Sequence, residues 1–329
     1  MKIVVDAMGG DYAPKNVIAG VVEAIKEFDV QIVLTGVKEQ IENELKLYHY
    51  PAGRIEIVHT DEVVGMDEPA TVTIRKKRNS SISVGLRLLK EQGYDAFISA
   101  GNTGAVVAAA TFNLGMLPGV SRPAIGLVIP TLKGVAFIID VGANADPKPE
   151  HLCQSGKMSK AYMNAVLGVQ NPTVGLVNIG EEEGKGTEFQ KESYRLMSES
   201  ISTFIGNIEP NEIYKGKSDC IICGGFVGNV ILKVSEGLME ASSILIKREI
   251  KKSPVALLGA FLMKKKLTHI KKLADYSEYG GAPLLGVNGI VMISHGRSSP
   301  KAIKNAIRAS IREIEHKILD VMAKEVSAS

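Results

Sequence analysis

Tryptophan is absent from this chain of 329 residues, and aromatic residues make up only 5% of it. Proteins that hold single-stranded nucleic acid stack bases on aromatic side chains, so the composition argues against a nucleic-acid partner. Cysteine is also scarce, because Cys153, Cys220 and Cys223 are too few to cross-link a chain of this length. Asp6 interrupts the N-terminal apolar run too early for a signal peptide. We therefore expect a cytoplasmic protein.

Positive charge is concentrated in one segment. The whole chain has a net charge of +3, yet residues 247–272 hold nine Lys or Arg residues and a single Glu. That segment therefore carries +8, and the remainder of the chain carries −5. Such a distribution favours an acidic or anionic partner.

Short β-rich runs alternate with helical patterns along the chain. The predicted strands are 3–6, 31–35, 54–59, 95–99, 125–130, 135–140, 173–178, 219–223 and 290–294, and the last helix is predicted over 300–324. The alternation predicts an α/β fold, a three-layer α/β/α sandwich with a mostly parallel sheet. We expect one compact unit over residues 1–329, from which a basic, apolar-tipped helical segment at 247–280 projects.

Glycine and small polar residues follow five of the predicted strands, in loops at 6–11, 99–105, 140–144, 178–186 and 224–229. Glycine lets backbone N–H groups approach an anion, and a helix that follows adds a favourable dipole. Because ligands of open α/β sheets bind at the carboxyl ends of strands, we expect the five loops to form one anion site at one edge. Taken singly, each loop also has the ordinary composition of a turn.

Several catalytic motifs are missing from the sequence. No G-x-G-x-x-G occurs, and residues 180–186 are one residue short of a P-loop and lack its Ser or Thr. Cys220 and Cys223 match C-x-x-C, but a strand points them to opposite faces, which favours two buried structural thiols. His295 follows a predicted strand and is a general base, an anion ligand or a structural residue. Without an evident Ser/His/Asp or Cys/His set, no covalent enzyme intermediate is expected.

Four strings carry a more specific signal: Asp-Ala-Met-Gly-Gly-Asp-Tyr-Ala-Pro at 6–14, Ser-Ala-Gly-Asn-Thr-Gly-Ala at 99–105, Asp-Val-Gly-Ala-Asn at 140–144 and Tyr-Gly-Gly-Ala-Pro-Leu-Leu-Gly at 279–286. Together they resemble the bacterial phosphate acyltransferase (PlsX) family over essentially the whole chain. The resemblance implies a homodimer with the fold of isocitrate and isopropylmalate dehydrogenases, which phosphotransacetylases share.

The resemblance also implies a reaction. A long fatty acyl group would pass from acyl-acyl carrier protein to inorganic phosphate, giving acyl phosphate for phospholipid synthesis. Phosphate is then a substrate, and neither a cofactor nor a metal is expected. The acyl phosphate would be handed over to a membrane glycerol-3-phosphate acyltransferase.

The sequence departs from the family pattern at two positions. The family's Asp-Gly-Phe-(Val/Thr)-Gly-Asn begins here with Gly224, so the usual carboxylate is missing. The family's Lys-Gly-Asn after the acidic loop is Lys185-Gly186-Thr187, which keeps a polar group.

The loop chemistry and the resemblance predict that bound phosphate attacks the thioester carbonyl directly, because its oxygen is already a nucleophile. Lys185 and Asn229 are predicted to orient phosphate and stabilise the oxyanion, with Asn144 as a further donor. The predicted phosphate or substrate contacts are Ser99, Gly101, Asn102, Thr103, Gly104, Asp6, Gly9, Gly10 and His295.

Residues 254–263 are apolar nearly all round and have lysines on both sides. Met263, Leu267, Ile270 and Ala274 continue an apolar stripe at helical spacing. Ten apolar residues cannot span a bilayer, which needs about 20, so the alternatives are a carrier or membrane-surface contact and a core helix. Under the first alternative the protein is peripheral at the inner face of the cell membrane. The predicted contact residues are Lys251, Lys252, Leu257, Leu258, Phe261, Leu262, Lys264, Lys265 and Lys266.

Three other functions remain open. A short-chain phosphotransacetylase acting on acyl-coenzyme A would share the fold, although the apolar stretch at 254–263 favours long chains. A dehydrogenase would need NAD(P) and usually a metal, for which no acidic cluster is evident. A membrane-surface scaffold would leave the five loops without a purpose.

Overall fold

The computed structural model describes residues 1–71, 75–266 and 280–327. The strands of these residues are β1 Lys2–Asp6, β2 Gln31–Gly36, β3 Ile55–His59, β4 Ala96–Ser99, β5 Ala124–Thr131, β6 Gly134–Ile139, β7 Val174–Val177, β8 Phe204–Ile208, β9 Cys220–Ile222, β10 Ala282–Leu285 and β11 Ile290–Ile293. The α-helices are α1 Lys15–Glu27, α2 Lys38–Leu45, α3 Ser81–Glu91, α4 Thr103–Leu114, α5 Pro149–Ala165, α6 Glu188–Ser200, α7 Gly225–Lys251, α8 Pro254–Leu262, α9 Pro300–Glu315 and α10 Ile318–Ser327. A 3₁₀ helix covers Pro210–Lys215.

The eleven strands form one sheet in the order β3-β2-β1-β4-β11-β10-β5-β6-β9-β7-β8. The first five strands of this order, β3, β2, β1, β4 and β11, are parallel to one another. The last four, β6, β9, β7 and β8, are also parallel to one another. Strands β10 and β5 lie between these two groups and pair antiparallel with each other and with their outer neighbours. The three antiparallel pairings make the two parallel groups run in opposite directions.

This reversal separates the predicted loops. The loops after β1 and β4 leave the sheet at one end of its strands, and we call that side of the sheet the first edge. The loops after β6, β7 and β9 leave the opposite, second edge. The expectation that all five loops share one edge is therefore wrong, because two inserted strands reverse the direction of the second group.

Apolar side chains cover both faces of the sheet. Ile3 and Val5 belong to the cluster on one face, whereas Val4 belongs to the cluster on the other. The same alternation places Cys220 and Cys223 on opposite faces, both buried. Burial raises the pKa of the Cys220 thiol to about 12. The prediction of two buried structural thiols is confirmed, and so is the α/β sandwich.

Three elements differ from the predictions. Strands β8 and β10 were not expected. The predicted helix at 300–324 is two helices, α9 and α10, because the chain turns at Lys317, whose φ is 49°. Ser253 caps α8, and Pro254 occupies the first turn of that helix.

Candidate active site

Asp6 and Ser99 form the buried base of the first edge. The Ser99 hydroxyl donates to Asp6 Oδ2 over 2.7 Å and accepts a hydrogen bond from the Gly101 N–H over 3.0 Å. Both side chains are buried, and burial raises the pKa of the Asp6 carboxyl above its ordinary value. These two side chains bond to each other and to loop backbone, so they shape the loops rather than face solvent.

Gly9 and Gly10 allow the β1 loop to approach its neighbours closely. A Cβ at Gly9 would lie 2.6 Å from both Asp6 Oδ2 and the Gly101 nitrogen. Gly10 has a φ of +99°, and a Cβ there would lie 2.8 Å from the Gly296 oxygen. Only glycine fits these two positions, because a side chain at either would collide with the neighbouring loops. This close contact explains why the Gly-Gly pair is there.

The N-terminus of α4 is the most exposed part of the 99–104 loop. Asn102 caps the helix by accepting from the Ala105 N–H over 3.0 Å. The Asn102 amide donates to the backbone oxygens of Met66 and Glu68 over 2.8 and 2.9 Å, so its donors are already committed. Thr103 and Gly104 are exposed, and their N–H groups lie in the first turn, which has no acceptor within the helix. The turn therefore exposes backbone donors of the kind that suit an anion.

The segment after β11 completes this edge. The Asp11 N–H donates to the Gly296 oxygen over 2.8 Å, which joins the segment to the β1 loop. His295 is exposed, and its Nδ1 accepts from the Arg297 N–H over 3.1 Å. This bond assigns the proton of a neutral ring to Nε2, which leaves Nε2–H free to donate to a ligand.

Asp140 organises the loops of the second edge. Its carboxylate accepts from the backbone N–H groups of Ile125, Gly142, Ala143 and Asn144 over 2.7 to 3.1 Å. The Asn144 amide donates to the Pro123 oxygen over 2.6 Å and to Asp140 Oδ2 over 3.1 Å. Both amide hydrogens of Asn144 are thus committed to loop structure.

Lys185 and Asn229 are two exposed side-chain donors of the second edge. Lys185 is half exposed, and its Nζ lies 3.9 Å from Glu182 Oε1. Asn229 is exposed in the second turn of α7, which begins at Gly225. A Cβ at Gly228 would lie 1.9 Å from the Asp140 oxygen, so the start of α7 packs directly on the β6 loop. Both side chains are available to a ligand.

The predicted carrier or membrane contact residues lie at the end of α7, on α8 and in the residues that follow α8. No residue of α8 is buried, and the side chains of Leu258 and Phe261 are 61% and 72% exposed. The lysines at 251, 252 and 264–266 are exposed as well. The core-helix alternative is therefore wrong for α8 in the isolated chain. The stripe residues Leu267, Ile270 and Ala274 lie outside the described residues.

The described ranges contain neither a candidate membrane span nor a cluster of metal ligands. No helix there is long and apolar enough to cross a membrane. No group of three or more His, Cys, Asp or Glu residues there is arranged to hold a metal ion.

Sequence reasoning missed the groups around a cavity next to His295. Ser294, Arg297 and Glu236 line it together with apolar residues of β5 and α7. Ser294 is the last residue of a predicted strand, but Glu236 lies in the middle of a long helix. No local pattern marks a residue that only the crossing of two distant elements brings to a site.

Relatives of the chain cover its full length. A model of the family described as "Fatty acid synthesis protein" matches residues 1–320. A phosphate acyltransferase from Alkaliphilus oremlandii is 48% identical over 100% of this chain and 98% of its own length. One from Dictyoglomus turgidum is 47% identical over 98% of both chains.

Solved structures with the same fold include a EutD phosphotransacetylase from Staphylococcus aureus, with a TM-score of 0.63, 14% identity and coverage of 96% of this chain and 94% of that chain. A 4-hydroxythreonine-4-phosphate dehydrogenase from Klebsiella pneumoniae has a TM-score of 0.56 and 12% identity, covering 95% and 99%. These likenesses confirm the predicted fold class, and the full-length relatives confirm the family. The chain belongs to the phosphate acyltransferase family and is a transferase.

Proposed function

We propose that this enzyme transfers a long fatty acyl group from acyl-acyl carrier protein to inorganic phosphate, giving acyl phosphate for phospholipid synthesis. The observation that carries the proposal is the full-length match to phosphate acyltransferases and a fatty acid synthesis family. The exposed backbone donors of Thr103 and Gly104 support it, because they suit a phosphate.

The reaction needs orientation of phosphate more than activation. Phosphate is held at the first turn of α4 with one oxygen facing the thioester carbonyl. That oxygen forms a bond to the carbonyl carbon, the carbon–sulfur bond breaks, and the thiolate of the carrier leaves. Neither a covalent enzyme intermediate nor a cofactor takes part in this scheme.

Lys185 and Asn229 are the proposed donors to phosphate and to the tetrahedral oxyanion. These proposed roles are supported by the exposure of both side chains. Asn102 and Asn144 have committed amides, so their proposed role is to position the loops. Strand direction places both side chains at the edge opposite the α4 turn, so they are the donors if phosphate binds at the second edge, and the activity of Lys185→Ala and Asn229→Ala decides between the two phosphate positions.

The exposed α7–α8 end is the proposed contact for acyl carrier protein, which is acidic, and for the inner face of the cell membrane. Its lysines supply charge and its exposed apolar residues supply hydrophobic contact. Handover of acyl phosphate to a membrane glycerol-3-phosphate acyltransferase follows from that location. We also propose a homodimer, which sedimentation analysis of the purified protein would test.

The central experiment incubates the protein with palmitoyl-acyl carrier protein, with and without phosphate. Hydroxylamine traps acyl phosphate as the hydroxamate, which mass spectrometry detects. Phosphate-dependent hydroxamate is expected, and its absence with an intact carrier substrate would contradict the proposal.

A second candidate is a short-chain phosphotransacetylase acting on acyl-coenzyme A. The fold shared with the EutD phosphotransacetylase is the observation in its favour, and at 14% identity it speaks for the fold alone. Hydroxamate from acetyl-coenzyme A but not from the palmitoyl carrier would establish this candidate instead.

The membrane contact has its own test. The double variant Leu258→Glu with Phe261→Glu is expected to pellet less with anionic liposomes than the unchanged protein. Leu132→Glu is the control, because Leu132 is 86% exposed in a different part of the chain. Equal pelleting of all three proteins would remove the membrane contact from the proposal.

A further inference from the structure

A cavity of about 630 Å³ lies where α7 passes β5 and the end of β11. Leu127 and Ile129 from β5 and Leu232 and Met239 from α7 form an apolar wall. Sites for small ligands typically enclose about 300–1,000 Å³ and are lined mainly by apolar side chains. The cavity therefore has the size and the lining of a site for a hydrocarbon chain.

Two buried polar atoms at this cavity lack a protein partner. Ser294 is 4% exposed, and within the described part of the chain its Oγ makes no hydrogen bond. The same holds for Glu236 Oε1, although Glu236 Oε2 pairs with Lys233 over 2.9 Å. Because buried polar atoms nearly always have a partner, these two indicate a ligand with polar groups beside its apolar part.

The unpartnered hydroxyl is next to the proposed phosphate site. The Ser294 N–H donates to the Ser99 oxygen over 2.8 Å, and Ser99 is the first residue of the 99–104 loop. The cavity thus begins at the strand that adjoins the phosphate loop. It reaches Leu232, which follows Asn229 by three residues, about 4.5 Å along the helix axis.

We propose that this cavity binds the fatty acyl thioester, with the acyl chain against Leu127, Ile129, Leu232 and Met239, and that the Ser294 hydroxyl donates to the carbonyl oxygen. Glu236 Oε1 accepts from an amide N–H of a pantetheine-type arm. The inference rests on the proposed function, because it assigns that function's acyl substrate to a place. It adds Ser294 as a residue that touches the reacting group.

The location is tested by photo-labelling in the absence of phosphate. The probe is palmitoyl-pantetheine that carries a diazirine in the middle of the acyl chain. We expect label on peptides of β5 and α7, and less label when unmodified palmitoyl-pantetheine competes. Label confined to α8, or label that does not saturate, would overturn the inference.

Labelling requires no turnover, so the two proposals fail separately. Labelled β5 and α7 without acyl phosphate formation would contradict the proposed function and leave the cavity assignment intact. Acyl phosphate formation with label confined to α8 would contradict the cavity assignment and leave the proposed function intact.

Chain length gives a second test. Met239→Trp places bulk at the cavity wall, and Met239 is half exposed, so the fold tolerates the change. We expect the preference for palmitoyl over octanoyl carrier to fall about tenfold, as when about two methylene groups lose an apolar wall. Val234→Trp, on the same helix but outside the cavity lining and 63% exposed, is expected to keep the preference. An unchanged preference in Met239→Trp would overturn the chain placement.

Ser294→Ala separates a substrate donor from a structural residue. Turnover is expected to fall about 10²–10³-fold, as when a donor to an oxyanion is removed. Stability is expected to stay equal or to rise, because the substitution removes a buried hydroxyl that has no partner. Ser310→Ala is the control: Ser310 is buried and donates to the Ala306 oxygen over 3.0 Å, so it loses stability and keeps turnover. Unchanged turnover in Ser294→Ala would overturn the donor role.

Discussion

The loops at the two edges of the sheet are each built on a buried aspartate, yet they expose different donors. At the first edge, Asp6 and Ser99 bond to each other, and the exposed donors are backbone N–H groups of α4. At the second edge, Asp140 gathers four backbone N–H groups, and the exposed donors are the side chains of Lys185 and Asn229. Substitution of Asp6, Ser99 or Asn102 at the first edge therefore acts first on stability, whereas substitution of Lys185 or Asn229 at the second edge can act on catalysis alone.

The largest expected effect concerns the two aspartates themselves. Asp140→Ala leaves four backbone N–H groups without their acceptor, at about 1–3 kcal/mol for each group that stays buried and unpaired. We expect the free energy of unfolding to fall by about 4 kcal/mol or more in a urea titration. Asp6→Ala is expected to cost less, because removal of Asp6 also removes a carboxylate whose burial is unfavourable. A greater loss of unfolding free energy in Asp6→Ala than in Asp140→Ala would contradict this difference between the two edges.

Catalytic donors at the second edge give the next largest effect. Lys185→Ala and Asn229→Ala are each expected to lower kcat by about 10²–10³-fold, or about 2.7–4 kcal/mol of barrier. Because both side chains are exposed, the Tm of each variant is expected to match that of the unchanged protein. Lys191→Ala is the control, since Lys191 is similarly exposed and pairs with Glu188. Full turnover in both active-site variants would remove them from the mechanism.

The cap of α4 at the first edge gives a third effect, on stability and on phosphate binding together. Asn102→Ala removes the cap of α4 and is expected to cost about 1–2 kcal/mol of stability. The KM for phosphate is expected to rise, because the backbone donors of the first turn lose their fixed position. Ser80→Ala removes the equivalent cap of α3 and is expected to cost stability without changing that KM. A KM that rises equally in both variants would mean that the effect is not local to α4.

Strand positions were largely predictable because buried parallel strands are continuous apolar runs, as in β1 and β6. The two missed strands lack this signal. Strand β10 contains Pro283, which ordinarily argues against a strand, and β8 contains Gly206 and Asn207. Strand direction has a local signal only where a short connection forces an antiparallel pair, as the two residues between β5 and β6 do. Elsewhere it depends on which distant strands pair, so the insertion of β10 beside β5 had no signal in the sequence, and the two edges were not predicted.

The residue types of the candidate site were predictable, but the state of their side chains was not. Asn102 and Asn144 look equivalent to Asn229 in the sequence, since each lies within two residues of a glycine in a predicted strand-end loop. In the structure, contacts with distant backbone oxygens, such as those of Met66 and Pro123, occupy the amides of the first two. Only Asn229 keeps an exposed amide. Tertiary contacts decide whether such a residue supports a site or acts in it.

The smallest expected effect concerns Gly224, where the family's usual carboxylate is missing. Gly224 caps α7 with φ and ψ of −72° and 150°, a conformation open to any residue, and a Cβ there would lie 3.1 Å from Pro147 Cγ. Gly224→Asp is therefore expected to change stability by only a few tenths of a kcal/mol, since the gain of a better cap offsets the close contact. Gly224→Asn, with the same shape and no charge, is the control. If kcat rises in Gly224→Asp but not in Gly224→Asn, a carboxylate at the start of α7 contributes to the reaction. In that variant the second edge would present a carboxylate beside the donors Lys185 and Asn229. Its side chains would then differ from those of the first edge in charge as well as in exposure.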